Sequence, residues 1–160
     1  MSTGLITDTR ITHATPTAFA AKQVSRDFEP EIAADLINGV SRDKVQIMLG
    51  GGGRNLIPES ARFSDIPGCE GIDPAVDGSS QREDERDLIA DAQDNGFAVA
   101  CDGAQLAALP ENEGTKILGV FARSGFPAFP ERAEVAGVPS ILDMTQKSVS
   151  IMEKNPTASS

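Results

Sequence analysis

Apolar and polar positions alternate along this chain in short blocks whose period switches between two and about three and a half residues. Residues 4–11 carry Leu, Ile and Thr in alternation, which suits a pleated, half-buried surface and predicts a strand. Thr15 followed by Pro16 reads as a helix N-cap and first helical position, with the alanine-rich residues 17–24 continuing as a short helix. Pro30 repeats the signal. Ile32, Ala33, Leu36 and Ile37 then lie on one helical face, with Gly39 as the stop. Residues 45–49 form a brief apolar run of strand length that ends at the glycines 50, 51, 52 and 53. Residues 58–82 hold three prolines and the Gly78-Ser79-Ser80 run and read as a long surface loop.

Leu88, Ile89, Ala92 and Gly96 predict a helix and its stop, and residues 97–101 a strand. Asp102 can cap a short helix through Leu109, and residues 116–121 supply another strand. Residues 123–138 read as a loop anchored to the core by Phe126 and Phe129. A last helix follows, with Ser140 and Asp143 as a capping box and Ile141, Thr145, Val149 and Met152 on its apolar face. Alternation of strand and helix predicts an α/β fold with a mostly parallel sheet, whose sites lie at the carboxyl ends of the strands.

Composition narrows the function classes. A length of 160 residues fits one domain, and a net charge of −10, from 14 basic and 24 acidic residues, argues against nucleic acid or an anionic membrane as a general partner. No apolar run of 18 residues occurs, and the N-terminus lacks the basic and apolar regions of a signal peptide. Cys69 and Cys101 read first as two buried or half-buried thiols, with one disulfide in an oxidising compartment as the other reading. With a single histidine, no ordinary four-ligand zinc site can be assembled.

Candidate chemistry concentrates in residues 3–27, which contain that histidine, His13, the hydroxyl of Thr15 and the guanidinium of Arg26. Taken singly these are a turn residue, an N-cap and a surface arginine. The glycines 50–53 lack the Gly-Lys-Ser/Thr of a phosphate loop and any Gly-x-Gly-x-x-Gly spacing, so they read as a structural turn, which Arg54 beside them does not alter. The charged run at 82–87 reads as a solvated helix start rather than a metal site.

The order of motifs resembles the alkaline phosphatases. It is carried by Thr3-Gly4-Leu5-Ile6-Thr7, Thr12-His13-Ala14-Thr15-Pro16, Ser25-Arg26-Asp27, Leu49-Gly50-Gly51-Gly52, Arg86-Asp87-Leu88-Ile89, Asn95-Gly96-Phe97, Leu118-Gly119-Val120-Phe121, Pro139-Ser140-Ile141-Leu142-Asp143-Met144-Thr145 and Lys154-Asn155-Pro156. The resemblance implies part of a three-layer αβα fold, incomplete in this chain, occupying residues 1–160 as a single partial domain. It implies a phosphomonoesterase that works through a phosphoserine, with two zinc ions and a third site holding magnesium. Carried over residue by residue, Arg26 is the phosphate clamp, Thr15 the hydroxyl ligand of the third metal, and His13 a neighbour that tunes that metal from beyond its ligands. Phosphomonoesters or inorganic phosphate are the implied partners, the family is often homodimeric, and its location is periplasmic or secreted.

The departures from the family are equally specific. The family's nucleophile lies in an Asp-Ser-Ala-type segment upstream of the Thr-Gly-Leu strand, and its aspartate and histidine zinc ligands lie downstream of Lys-Asn-Pro. Neither region is represented here. The two zinc ions are therefore not expected to bind this chain normally, and the chain alone is expected to be inactive. A non-catalytic phosphate-binding or chain-complementing protein is the alternative, and self-association through exposed apolar surface the expected behaviour. A nucleotide-binding domain built on the glycines 50–53 ranks last.

Overall fold

The structure, a computed structural model, describes residues 3–23, 25–39, 44–128 and 130–154. Among these residues four strands form one parallel sheet: β1 (Gly4–Arg10), β2 (Ile47–Gly51), β3 (Phe97–Ala100) and β4 (Lys116–Val120), in the order β1-β2-β4-β3. The register sets Gly4 beside Ile47, Ile47 beside Ile117 and Phe97 beside Lys116. Among the described residues five α-helices accompany the sheet: α1 (Ala14–Thr17), α2 (Glu29–Asn38), α3 (Leu88–Asp94), α4 (Gly103–Ala108) and α5 (Ile141–Met152).

Strand periodicity divides the core in two. Met48, Leu118 and Val120 point to the face covered by Ile32, Leu36, Ile37, Leu88 and Ile89 of α2 and α3. Ile47, Leu49 and Ile117 point to the opposite face, beneath Leu106 of α4 and Met144 and Ile151 of α5. Helices on both faces of a parallel sheet are the three-layer α/β arrangement expected from the alternation. Most helix starts also follow the expected chemistry. Asp87 accepts from the amides of Ile89 and Ala90, Asp102 from that of Gln105, and Ser140 and Asp143 form a reciprocal capping box.

Several local expectations are overturned. His13, not Thr15, occupies the N-cap of α1, and it makes no side-chain cap bond. Pro16 is then the third helical residue, where its missing donor is still one of the four orphan amides and costs nothing. Nor does the expected helix over 17–24 continue through the described residues 18–23: α1 ends at Thr17, and Lys22 gives its amide to Asp35 Oδ2 at 2.8 Å, docking onto α2 instead of continuing a helical ladder. Val24 and Phe129 lie outside the described residues, as does 155–160. β2 runs on through Gly50 and Gly51 rather than stopping before them.

The segment 58–82 has little regular structure beyond the turn Phe63–Asp65, and a few of its side chains pin it to the core. Phe63, Ile66, Cys69 and Val76 are buried, Arg62 bridges to Ser79, and Cys69 is disulfide-bonded to Cys101 at the end of β3, across a sequence separation of 32. The pairing replaces the expectation of two thiols: the segment folds back so that the two Cα atoms stand 5.2 Å apart, ordinary disulfide spacing. Arg82, expected on a solvated face, is buried, its Nη1 donating to the carbonyls of Pro30 and Asn55 and its fork to Asp84.

Candidate functional site

The carboxyl ends of β1, β2 and β4 converge on one rim. Arg10 closes β1 and sits in register with Gly51, and the chain then turns sharply, with the Ile11 amide bonded to the Gly51 carbonyl at 3.0 Å and the His13 amide to the Arg10 carbonyl at 2.9 Å. Ile11 and Thr12 are fully buried under this turn. Beyond β2, Gly52 adopts φ +104°, a conformation that favours glycine, and a Cβ on Gly51 would run into the Ser124 carbonyl. The amides of Gly52 and Gly53 are spent on the carbonyls of Ala122 and Ser124. Gly52 and Gly53 make the turn expected of this run, Gly50 and Gly51 are the end of β2, and the Gly52 and Gly53 amides that a phosphate cradle would need are already occupied.

A polar network under the rim ties these ends to α2. Arg10 grips the Glu29 carboxylate with two nitrogens, Nε at 2.8 Å and Nη2 at 2.8 Å. The Thr12 hydroxyl donates to Glu29 Oε2 at 2.7 Å, and Asn55 Nδ2 donates to both Thr12 Oγ1 and Glu29 Oε2. Arg54 adds a looser ion pair at 3.9 Å. Burial by itself would raise the Glu29 carboxyl above the ordinary 4.5, but the bonds from Arg10 and Thr12 and the charges of Arg10 and Arg54 outweigh it and hold it lower. This network was missed in the sequence. Its hydrogen bonds join residues 17 to 43 apart, and the one available signal was an acidic residue directly before Pro30, which reads equally as a first-turn carboxylate.

Of the three sequence-derived site residues, the structure brings two together. His13 Nε2 lies 3.5 Å from Arg26 Nη2, at the limit of a hydrogen bond. A guanidinium can only donate, so as a hydrogen bond this contact has Nε2 of His13 as its acceptor. Arg26 is exposed, has no carboxylate partner among the described residues, and lines a cavity of about 170 Å³ with Thr17, Ser25 and Ile32. Thr15 stands apart, exposed, on a different cavity of about 720 Å³ that runs along β1 and also receives His13 and Phe19. His13 thus lines the cavity along β1 and touches Arg26, which lines the other.

The donor set is too small for the metals the resemblance implies. Among the described residues no group of three or more His, Cys, Asp and Glu side chains could hold an ion. Thr15 offers one neutral oxygen, and magnesium needs near-octahedral oxygen ligation with carboxylates. The described residues do not by themselves fit zinc or magnesium.

Comparison with known proteins agrees with the motif order. The family model for alkaline phosphatase matches residues 1–158. Alkaline phosphatase 3 of Bacillus subtilis is 28% identical over 96% of this chain and 27% of its own length. The crystal structure of Thermus thermophilus alkaline phosphatase superposes with a TM-score of 0.70 at 27% identity, over 96% of this chain and 27% of that one. A mutant alkaline phosphatase of the Antarctic bacterium TAB5, whose structure has magnesium bound in its M3 site, shares the fold with a TM-score of 0.64 at 21% identity, over 96% and 35% of the two chains. The chain thus spans about a quarter of the length of the Bacillus relative. It belongs to the alkaline phosphatase family, a metal-dependent family of phosphatases.

Proposed function

We propose that this chain is a segment of a metal-dependent phosphomonoesterase in which Arg26 clamps the phosphoryl oxygens. The observation that carries the reading is the exposed Arg26 guanidinium, free of carboxylates among the described residues and set against His13. A planar fork with uncommitted donors is suited to bidentate phosphate binding. His13 would orient that fork and, with Thr15, face the third metal, magnesium, Thr15 as its hydroxyl ligand and His13 from beyond the ligands. The remaining magnesium ligands, both zinc sites and the attacking serine would come from outside residues 1–160. The disulfide between Cys69 and Cys101 supports an exported, oxidising location.

On its own the chain binds neither zinc nor magnesium in the family's manner and does not turn over. Purified chain supplied with both metals should leave a chromogenic phosphomonoester unhydrolysed. Turnover that survives rigorous purification and is abolished by Arg26→Ala would overturn this. A non-catalytic, chain-complementing role is the second reading, favoured by the open edge of β1 and by Phe19, which is 84% exposed beside it. Phosphate binding by the metal-free chain belongs to this second reading, and phosphate binding that appears only with added metal to the first.

A further inference from the structure

We infer that Arg10, Arg54 and Arg123 form an oxyanion site of their own, one that takes the phosphoryl group of inorganic phosphate or a phosphomonoester and does not use Arg26. The three side chains leave the carboxyl ends of β1, β2 and β4, side by side in the sheet. Ligands of parallel α/β sheets bind at such ends. Arg10 and Arg54 approach the same Glu29 oxygen, at 2.8 and 3.9 Å, and the Arg54 amide is bonded to the Arg123 carbonyl at 3.0 Å. Arg123 Nε donates to the Ser79 carbonyl, which holds the side chain over Gly78 and leaves its terminal nitrogens uncommitted among the described residues.

The charge count is unbalanced. Among the described residues Glu29 is the only carboxylate within 4 Å of any of the three guanidinium groups, so three positive charges face one negative charge in a chain whose net charge is −10. The side chains of Arg10 and Arg54 are only 20% and 18% exposed, so water screens the excess poorly. Burial and the neighbouring charges of Arg10 and Arg123 lower the proton affinity of Arg54, with Glu29 opposing.

Arg54 Nε is moreover buried with no acceptor, as is Asn55 Oδ1 with no donor. A water bridging those two atoms would satisfy both and leave the charge uncancelled. A dianionic oxyanion at the open ends of the guanidinium groups would cancel it through charge-assisted bonds.

The test uses the full, metal-free chain in the Arg26→Ala background, so that its outcome is separable from the clamp assigned above. Inorganic phosphate and phenyl phosphate are titrated separately by calorimetry at low ionic strength. Binding of either titrant in that background, weakened at least tenfold by Arg54→Gln, supports the site. Binding of both assigns it to the phosphoryl group, and binding of inorganic phosphate alone to the free ion. Absence of binding by both titrants, or binding that Arg54→Gln leaves unchanged, overturns the inference. If Arg54→Gln loses its native circular dichroism, Arg123→Gln takes its place under the same criterion, since among the described residues Arg123 makes no ion pair whose loss would unfold the rim.

Discussion

Glu29 receives five hydrogen bonds from three side chains, all from the ends of β1 and β2 or the turns that follow them. It holds the rim together, and with it the segment that carries His13 and Arg26. Replacing it by Gln leaves the Arg10 and Arg54 guanidinium groups without a counter-charge and turns an amide donor toward other donors. Breaking a largely buried pair costs about 3–5 kcal/mol, and the residual exposure here reduces that to about 2–4 kcal/mol. Urea unfolding at pH 7 measures it, and a loss under about 0.5 kcal/mol would refute the role.

The pH dependence follows from the sign of the shift. The folded carboxyl is held below the ordinary 4.5, so its stabilisation is complete above that value and is lost as pH falls through the lowered folded value. The gap between wild type and Glu29→Gln should therefore narrow steadily below about pH 4.5. In the sequence Glu29 was invisible as a hub, because its partners Arg10, Thr12 and Asn55 become neighbours only once the parallel sheet has formed. His13 and Arg26 were legible because local motifs flag them, whereas Arg54 was passed over as an appendage of the glycine turn.

The final helix shows what element-level patterning can and cannot deliver. Its start was readable, since Ser140 and Asp143 form the reciprocal cap that the spacing predicts. Its buried face was not. Ile141, Thr145 and Val149 turn outward, with Val149 47% exposed, while Met144, Lys147, Ser148 and Ile151 turn in. Two stripes of helical period compete in this segment, and a lysine counts as polar in any pattern.

Lys147 nevertheless buries its stem and donates from Nζ to the carbonyls of Ala107 and Leu109 at the end of α4. Those are carbonyls that the helix itself leaves unpaired. Glu111, drawn down to about 2 by bonds from Ser150, Lys154 and Lys147, completes the arrangement outside. Ile151→Ala should thus cost about 2–5 kcal/mol through the cavity it leaves, and Val149→Lys should stay within about 0.5 kcal/mol. Equal effects in thermal or denaturant unfolding would restore the face read from the sequence. The same limit explains the segment 58–82, where prolines and glycines announced a loop and Phe63, Ile66 and the disulfide made it part of the core.

The order β1-β2-β4-β3 leaves β1 and β3 as edges among the described residues, and β1 is the more exposed to pairing. A cavity of about 720 Å³ runs along it, Phe19 projects beside it, and Leu142 on α5 is 63% exposed. An unpaired strand with apolar surface nearby is a template for another polypeptide. Strand alternation in the sequence announced a parallel sheet, but not which strands would end it, because order depends on crossovers that the pattern does not encode.

A charge of −10 opposes association by repulsion between copies, and salt screens that repulsion while leaving apolar contact intact. The two tendencies make a definite expectation. Light scattering should find the chain largely monomeric when dilute at low ionic strength and increasingly associated as protein or salt concentration rises. Phe19→Asp should suppress that association, because it sets a charge in the apolar surface at the β1 edge. A chain that remains monomeric throughout would mean that β1 is covered in solution, and the chain-complementing reading would lose its support.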